Sequence, residues 1–242
     1  MVTEDDPEAS AFIMEVRRGQ RFLADAAIDS DQAGALFVDA FVREGATLRH
    51  VASAPPGVGA VDIEVREDAD YILRVQPELF RSGTVALAVR TEPTLRIPVE
   101  GATASSVGSF FGAARDGGRR AHHGIDIFAA RGTPVRAAAG GIVTSVGPNG
   151  LGGNTIWITR PTRGESHYYA HLDRQLVTAG AYVNEGEGIG LVGNTGNARG
   201  TAPPLHFGIY TANGAVDPLP YVAGRASRGK ARKTIRVESS SG

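Results

Sequence analysis

The 242-residue sequence contains no cysteine, which excludes disulfides and thiolate metal sites together. Lysine is nearly missing too: Lys230 and Lys233 are the only two, and the other basic residues are arginines. Aromatic residues make up only 7%. No apolar run approaches the ~20 residues that a membrane-crossing helix requires. Neither sign of charge is in excess. With a formal net charge of −1 the chain has no global field to draw in nucleic acid or an acidic membrane surface. The opening residues, Met1-Val2-Thr3-Glu4-Asp5-Asp6, are acidic and lack the apolar core of a signal segment.

Glycine and proline are abundant instead, at 32 and 13 residues, and 42% of the chain is apolar, enough for a sizeable core. That balance predicts an all-β protein with many turns. Residues 1–100 contain short apolar or alternating segments, such as Phe12 to Val16, Leu36 to Val38, Val61 to Val65, Tyr71 to Val75 and Val85 to Val89. Each is bounded by turn residues such as Arg18-Gly19, Glu44-Gly45 and Pro55-Pro56-Gly57. This spacing predicts an antiparallel β-sandwich. Its one histidine, His50, is isolated and reads as a strand or surface residue. The small polar stretch 101–106 predicts a linker. Residues 107–223 form a second β region, with strands expected near 135–137, 141–146, 154–159, 167–171 and 205–210. A single turn of helix is expected around 172–176. Residues 224–242 turn basic, and the charge predicts a solvated tail.

Five of the six histidines (122, 123, 167, 171 and 206) fall in the second region. His122 and Asp126 lie four residues apart, and His206 lies far downstream. Two imidazoles and a carboxylate are the ligands of a zinc site that keeps a coordination position open for water. If Ile125-Asp126-Ile127 is a strand, Asp126 points away from the core that both isoleucines enter. Gly124 would then bend the chain so that His122 approaches the same metal. The alternative on these residues alone is a pair of surface histidines beside a turn aspartate. In His167-Tyr168-Tyr169-Ala170-His171, residues 167, 169 and 171 share a face of a strand, which places both histidines along one groove or on an ordinary exposed surface. In Leu205-His206-Phe207-Gly208-Ile209, the apolar residues take one face and His206 the other. Gly190 to Gly196 lacks the lysine and the strand-to-helix context of a phosphate loop. A biotinyl- or lipoyl-type carrier is excluded because no lysine lies in the region.

With these motifs in order, residues 107–221 resemble the M23 family of zinc metallopeptidases, the lysostaphin/LytM type that cuts peptide cross-links in bacterial cell walls. The resemblance rests on His122 to Asp126, on Gly132-Thr133-Pro134-Val135 with Ala139 to Val143, and on Asn154. It continues through Tyr169-Ala170-His171-Leu172 and Val192-Gly193-Asn194-Thr195-Gly196, and ends at Leu205-His206. It implies an antiparallel sheet flooring a narrow groove, with zinc bound by His122, Asp126 and His206 and with His171 as a catalytic histidine. His122 rather than the adjacent His123 matches the ligand position, and His167 has no role in the pattern. The N-terminal half, through Tyr71 to Leu79, resembles the bacterial pre-peptidase C-terminal β-sandwich.

One position departs from the pattern. The family closes on H-x-H, and here the tripeptide is Pro204-Leu205-His206. The ligand is kept, but the first histidine is a proline, which offers neither proton nor hydrogen bond. If that imidazole acts as an oxyanion donor, its loss implies a reaction slower by roughly 10²–10³-fold. The resemblance therefore implies a zinc-dependent endopeptidase acting on peptidoglycan peptides in the periplasm or outside the cell, with any signal segment lying outside this sequence. The alternative is a catalytically weak or inactive relative that binds wall peptides or regulates a partner cell-wall hydrolase. Neither nucleic acid nor a transmembrane segment is expected.

Overall fold

The computed structural model describes residues 10–31, 34–55, 57–78 and 83–223, together with the backbone of 228–235. Among them the chain is built almost entirely of antiparallel strands, and it divides into two compact units, Met1–Thr94 with Gly224–Gly242 and Leu95–Ala223. No helix among the described residues is long and apolar enough to cross a membrane.

The first unit is a sandwich of two four-stranded sheets. One has the order Ser10–Val16, Ala69–Pro77, Leu36–Glu44, Thr47–Ser53; the other has Arg228–Ile235, Gly83–Pro93, Gln20–Asp29, Ala60–Glu64. Alternation along the strands supplies the core. Along Gly83–Pro93, for example, Val85, Leu87 and Val89 turn inward to meet Phe22 from the same sheet and Leu73 and Val75 from the other. His50 sits exposed on the Thr47–Ser53 edge strand, bonded to Ser53 Oγ at 2.8 Å, a purely local role.

Two boundaries differ from the sequence expectation. The second unit begins at Leu95 rather than after residue 106, because Leu95 and Val99 are buried in its core and the Leu95 N–H donates to the Tyr221 carbonyl at 2.8 Å. The small polar stretch is a turn inside that unit, with a short 3₁₀ segment at Ala104–Ser106. The basic stretch expected to be a solvated tail instead contains a strand, Arg228–Ile235, paired antiparallel with Gly83–Pro93 from Arg228↔Arg90 to Ile235↔Gly83. Backbone pairing at a sheet edge needs no apolar side chains, and lysine-rich edges are common, so charge is a poor sign of a tail here. The rest of that tail, 224–227 and 236–242, and the acidic residues 1–6 lie outside the described residues.

The second unit has an eight-stranded sheet. Its main path runs Tyr182–Val183, Gly141–Asn149, Gly153–Arg160, Glu165–Leu172, Pro204–Thr211, Ile125–Phe128, Val107–Ser109, and Gly214–Val216 adds to Pro204–Thr211. A smaller sheet of Pro134–Arg136, Gly188–Leu191 and Arg174–Gln175 covers one face, so the segment expected to hold a helical turn is extended. Ile125, Ile127, Ile156, Ile158, Leu205 and Phe207 fill the space between the sheets with Val135 and Ile189. The only α-helical turn among the described residues is Leu219–Ala223.

Tyr169, fully buried in this core, accepts the Ala138 N–H on its hydroxyl at 3.0 Å. Tyr169→Phe keeps the ring but leaves that N–H unpaired away from water, so a loss of about 1–3 kcal/mol is expected. Urea unfolding of the full chain reads it, and an unchanged midpoint would show that water reaches Ala138.

Candidate metal centre and cleft

The face of the large sheet turned away from this core carries the site. Register places Ser109, Asp126, His206 and Ala170 side by side on four neighbouring strands. Because Ile125, Ile127, Leu205 and Phe207 are drawn into the core, alternation leaves Asp126 and His206 pointing the other way. His122 arrives from the segment preceding Ile125–Phe128. Its Nδ1 donates to the Phe110 carbonyl at 2.9 Å, which leaves Nε2 as the nitrogen that faces Asp126 and His206.

Three atoms then meet. His122 Nε2 lies 3.1 Å from Asp126 Oδ1 and 2.9 Å from His206 Nδ1, and His206 Nδ1 lies 3.0 Å from Asp126 Oδ1. These are the atoms by which His122, Asp126 and His206 could hold a metal ion together. Ligands at 2.0–2.2 Å in a tetrahedral shell stand about 3.3 Å apart, so each edge of the triangle needs to open by only a few tenths of an ångström. The chemistry of the donors fits as well. A carboxylate oxygen and an imidazole lone pair face a third acceptor-capable nitrogen, and a single shared proton leaves them poorly satisfied, whereas a dication serves all three. Two nitrogens with one oxygen, no thiolate, and an open side suit zinc.

Burial raises the Asp126 pKa, but hydrogen bonds and charge from His122 and His206 outweigh it and hold the carboxyl well below its usual range. Burial lowers the His206 pKa, against the pull of Asp126. Arg115 holds the far carboxylate oxygen, with Nη2 donating to Asp126 Oδ2 at 2.9 Å and to Ser109 Oγ at 2.5 Å. That clasp leaves Oδ1 for the two histidines, the arrangement in which an outer partner orients a ligand.

Gly124 has a part other than the expected bend. A Cβ there would lie 2.5 Å from the Phe207 carbonyl and 2.7 Å from the His206 ring, and the φ of Gly124 is not in the left-handed region. The glycine makes room for the His206 ring. Gly124→Ala is therefore expected to push His206 off the triangle and to weaken zinc binding by about 10–100-fold, as disturbing an outer partner does. Competition against a chromophoric chelator measures this, and unchanged affinity would mean the ring has slack.

His171 joins the cleft in an unexpected way. Counting alternation from it puts residues 167 and 169 on the same face, yet His167 and Tyr169 are buried in the core, and Tyr168 and Ala170 line the cleft instead. His171 reaches the cleft because its backbone adopts φ 63°, which reverses the alternation at that residue. A non-glycine residue there is costly, on the order of 1–3 kcal/mol, and is held only by its surroundings. Its N–H donates to the Gly152 carbonyl at 2.7 Å and its Nδ1 to the Thr195 carbonyl at 3.0 Å. Thr195 is fixed in turn by accepting the Asn154 N–H and donating to the Leu172 carbonyl, both at 2.9 Å. With Nδ1 occupied as a donor, His171 Nε2 is an acceptor, and burial, with His206 nearby, lowers its pKa and favours the neutral ring.

The other histidines do not join this group. His167 is fully buried, against Phe207 and with Nε2 at 3.3 Å from Glu165, and its Nδ1 has no partner. His123 is exposed at the cleft margin, its ring stacked on Phe111 at 6.4 Å. Pro204 lines the cleft opposite Phe128. The cleft of about 600 Å³ also has a wall of Trp157, Tyr168 and Tyr210, whose rings lie 4.5–6.3 Å apart. Sequence reasoning passed over these three and Arg115. No local signal marks Arg115 among so many arginines, and the wall appears only once register places Trp157 opposite Tyr168.

Residues 120–218 match peptidase family M23, a span that contains His122, Asp126, His171 and His206. The chain is 41% identical over 117 residues to the L-Ala–D-Glu endopeptidase of Bacillus subtilis (strain 168), a match covering 44% of this chain and 36% of that protein. It is 36% identical over 126 residues to lysostaphin of Staphylococcus simulans, covering 50% of this chain and 25% of that protein. Among solved structures, the crystallised catalytic domain of lysostaphin from Staphylococcus simulans is 32% identical, with 49% of this chain and 93% of that chain aligned and a TM-score of 0.44. The matches thus span a quarter to about a third of the length of these two curated relatives.

Proposed function

Residues 120–218 form a peptidase family M23 domain, and on that footing we propose that the protein is a zinc-dependent endopeptidase that hydrolyses peptide cross-links of bacterial peptidoglycan. The observation that carries the reading is the triangle of His122, Asp126 and His206 beside the free Nε2 of His171, at the floor of an open cleft. The relatives' names, an L-Ala–D-Glu endopeptidase and lysostaphin, supply the substrate class. Such a substrate places the protein in the periplasm or outside the cell.

His122, Asp126 and His206 would hold the ion, which when bound supplies Lewis acidity and brings the pKa of a water down to about 7. The chain's own residues do the rest. The cleft presents the scissile amide to His171. As a water oxygen bonds to the carbonyl carbon, His171 Nε2 takes one water proton. The same nitrogen returns that proton to the leaving amine as the C–N bond breaks, and the second water proton leaves the new carboxyl group to solvent, so the products are a carboxylate end and an amine end. The Thr195 carbonyl keeps a proton on Nδ1, so Nε2 is the nitrogen that takes and returns the other.

Pro204 favours a second reading, in which the same cleft binds wall peptides without cutting them or serves a partner hydrolase. Full-length protein loaded with zinc and incubated with purified peptidoglycan separates the two. The first reading requires soluble fragments with new amino termini, and their disappearance on adding a chelator. Binding to the sacculi with no fragments released would sink it in favour of the second.

A further inference from the structure

If His171 Nε2 accepts the proton, the cleft needs a separate donor for the oxygen of the substrate carbonyl, and the residue at 204 has none. We propose that the hydroxyl of Tyr168 is that donor, a catalytic role that rests on the peptidase reading above. The His206 ring is flanked on two sides at nearly equal distance, by His171 at 6.0 Å and 69° and by Tyr168 at 5.8 Å and 70°. Tyr168 starts two residues before Ala170, the register partner of His206, and its ring packs edge-on against the His206 ring. Its hydroxyl rests against Gly152, where an added Cβ would collide with it, and the carbonyl of that same Gly152 receives the His171 N–H. Gly152 and Ala170 are both small, and both line the same cleft as Tyr168, His206 and Asp126.

The hydroxyl bonds to no described protein group and is not sealed from solvent, so its proton is available to a ligand. Three other donors along the cleft are committed or stand farther from the metal row. Arg115 is clasped to Asp126 and Ser109, and Thr201 donates to the Ala198 carbonyl at 2.7 Å. Tyr210 lies opposite Ser166, a further register step from the metal row. The Tyr168 O–H donates to the carbonyl oxygen, and the bond strengthens as negative charge develops there while the proton stays on the phenol.

Tyr168→Phe in the full zinc-loaded chain tests the assignment with soluble cross-linked muropeptide dimers as substrate. The expected result is a kcat lower by about 10²–10³-fold, with KM, zinc affinity and thermal midpoint unchanged. Adding Pro204→His to the Tyr168→Phe variant is expected to recover most of that loss, because position 204 faces the same cleft two residues from His206. Wild-type protein that cleaves while Tyr168→Phe cleaves at the same kcat would overturn the role of Tyr168 alone, as would a loss seen instead in His123→Ala. Wild-type protein that releases nothing would overturn the peptidase reading, and this role with it.

Discussion

Replacing Asp126 by alanine is expected to weaken zinc binding by more than about 100-fold and to reduce fragment release to background. Losing an outer-shell partner costs 10–100-fold in affinity, and Asp126 is a ligand candidate and the only anion in the triangle. Its removal also strips Arg115 of its carboxylate and leaves that guanidinium facing two imidazoles and the incoming dication. A paired, neutral set of charges then becomes a net positive one. Competition against a chromophoric chelator reads the affinity directly. A thermal scan gives an independent reading. A ligand at a hundred times its Kd adds about 2.7 kcal/mol to the folded state, so a chelator should lower the midpoint of the wild type and leave Asp126→Ala unmoved. An alanine variant that binds zinc within tenfold of the wild type would show that the ion sits elsewhere.

His171→Ala is expected to lower kcat by about 10²–10⁴-fold, the usual contribution of a positioned base, while zinc affinity stays as it was. The pH profile distinguishes loss of the base from loss of shape. Burial first, then the charge of His206, lowers the His171 pKa, and a dication close by acts in the same direction. The accepting form of the ring therefore persists below the ordinary histidine value of about 6.5. As pH falls through the lowered pKa the ring takes a proton, Nε2 ceases to accept, and kcat falls. The residual activity of His171→Ala should lack that acid limb. An unchanged limb in the variant would assign it to another group.

Much of this arrangement was legible in the sequence, and the parts that were not share a cause. Ile125, Ile127, Leu205, Phe207 and Ile209 have the period of a half-buried strand, so the outward direction of Asp126 and His206 could be read from their neighbours. The same rule misplaced His167 and Tyr169. Alternation is reliable only while φ stays extended, and His171 breaks it at φ 63° without the glycine that normally announces such a residue. Tyr168, counted onto the wrong face, was therefore overlooked. Asn154 and Thr195 stood in recognised motifs, but their work, fixing the loop that holds the His171 imidazole, depends on contacts between segments far apart in the chain. The polar stretch 101–106 and the basic stretch 228–235 took forms that composition alone did not suggest. Small or charged residues describe what a segment shows to water, whereas strand membership is decided by which backbone lies alongside.

The strand Arg228–Ile235 has a consequence for the order of assembly. Its partner, Gly83–Pro93, is synthesised well before it, and the whole Leu95–Ala223 unit is made between the two. A ribosome that has released the first sandwich strands has therefore delivered a sheet with one edge unclosed. That edge stays a template for unwanted pairing until Arg228–Ile235 emerges. Contacts so distant in sequence form slowly, so this pairing joins the sandwich late in its folding. Shortening the chain after Ala223 would spare every residue of the metal centre, yet it would leave the sandwich permanently at that unfinished stage.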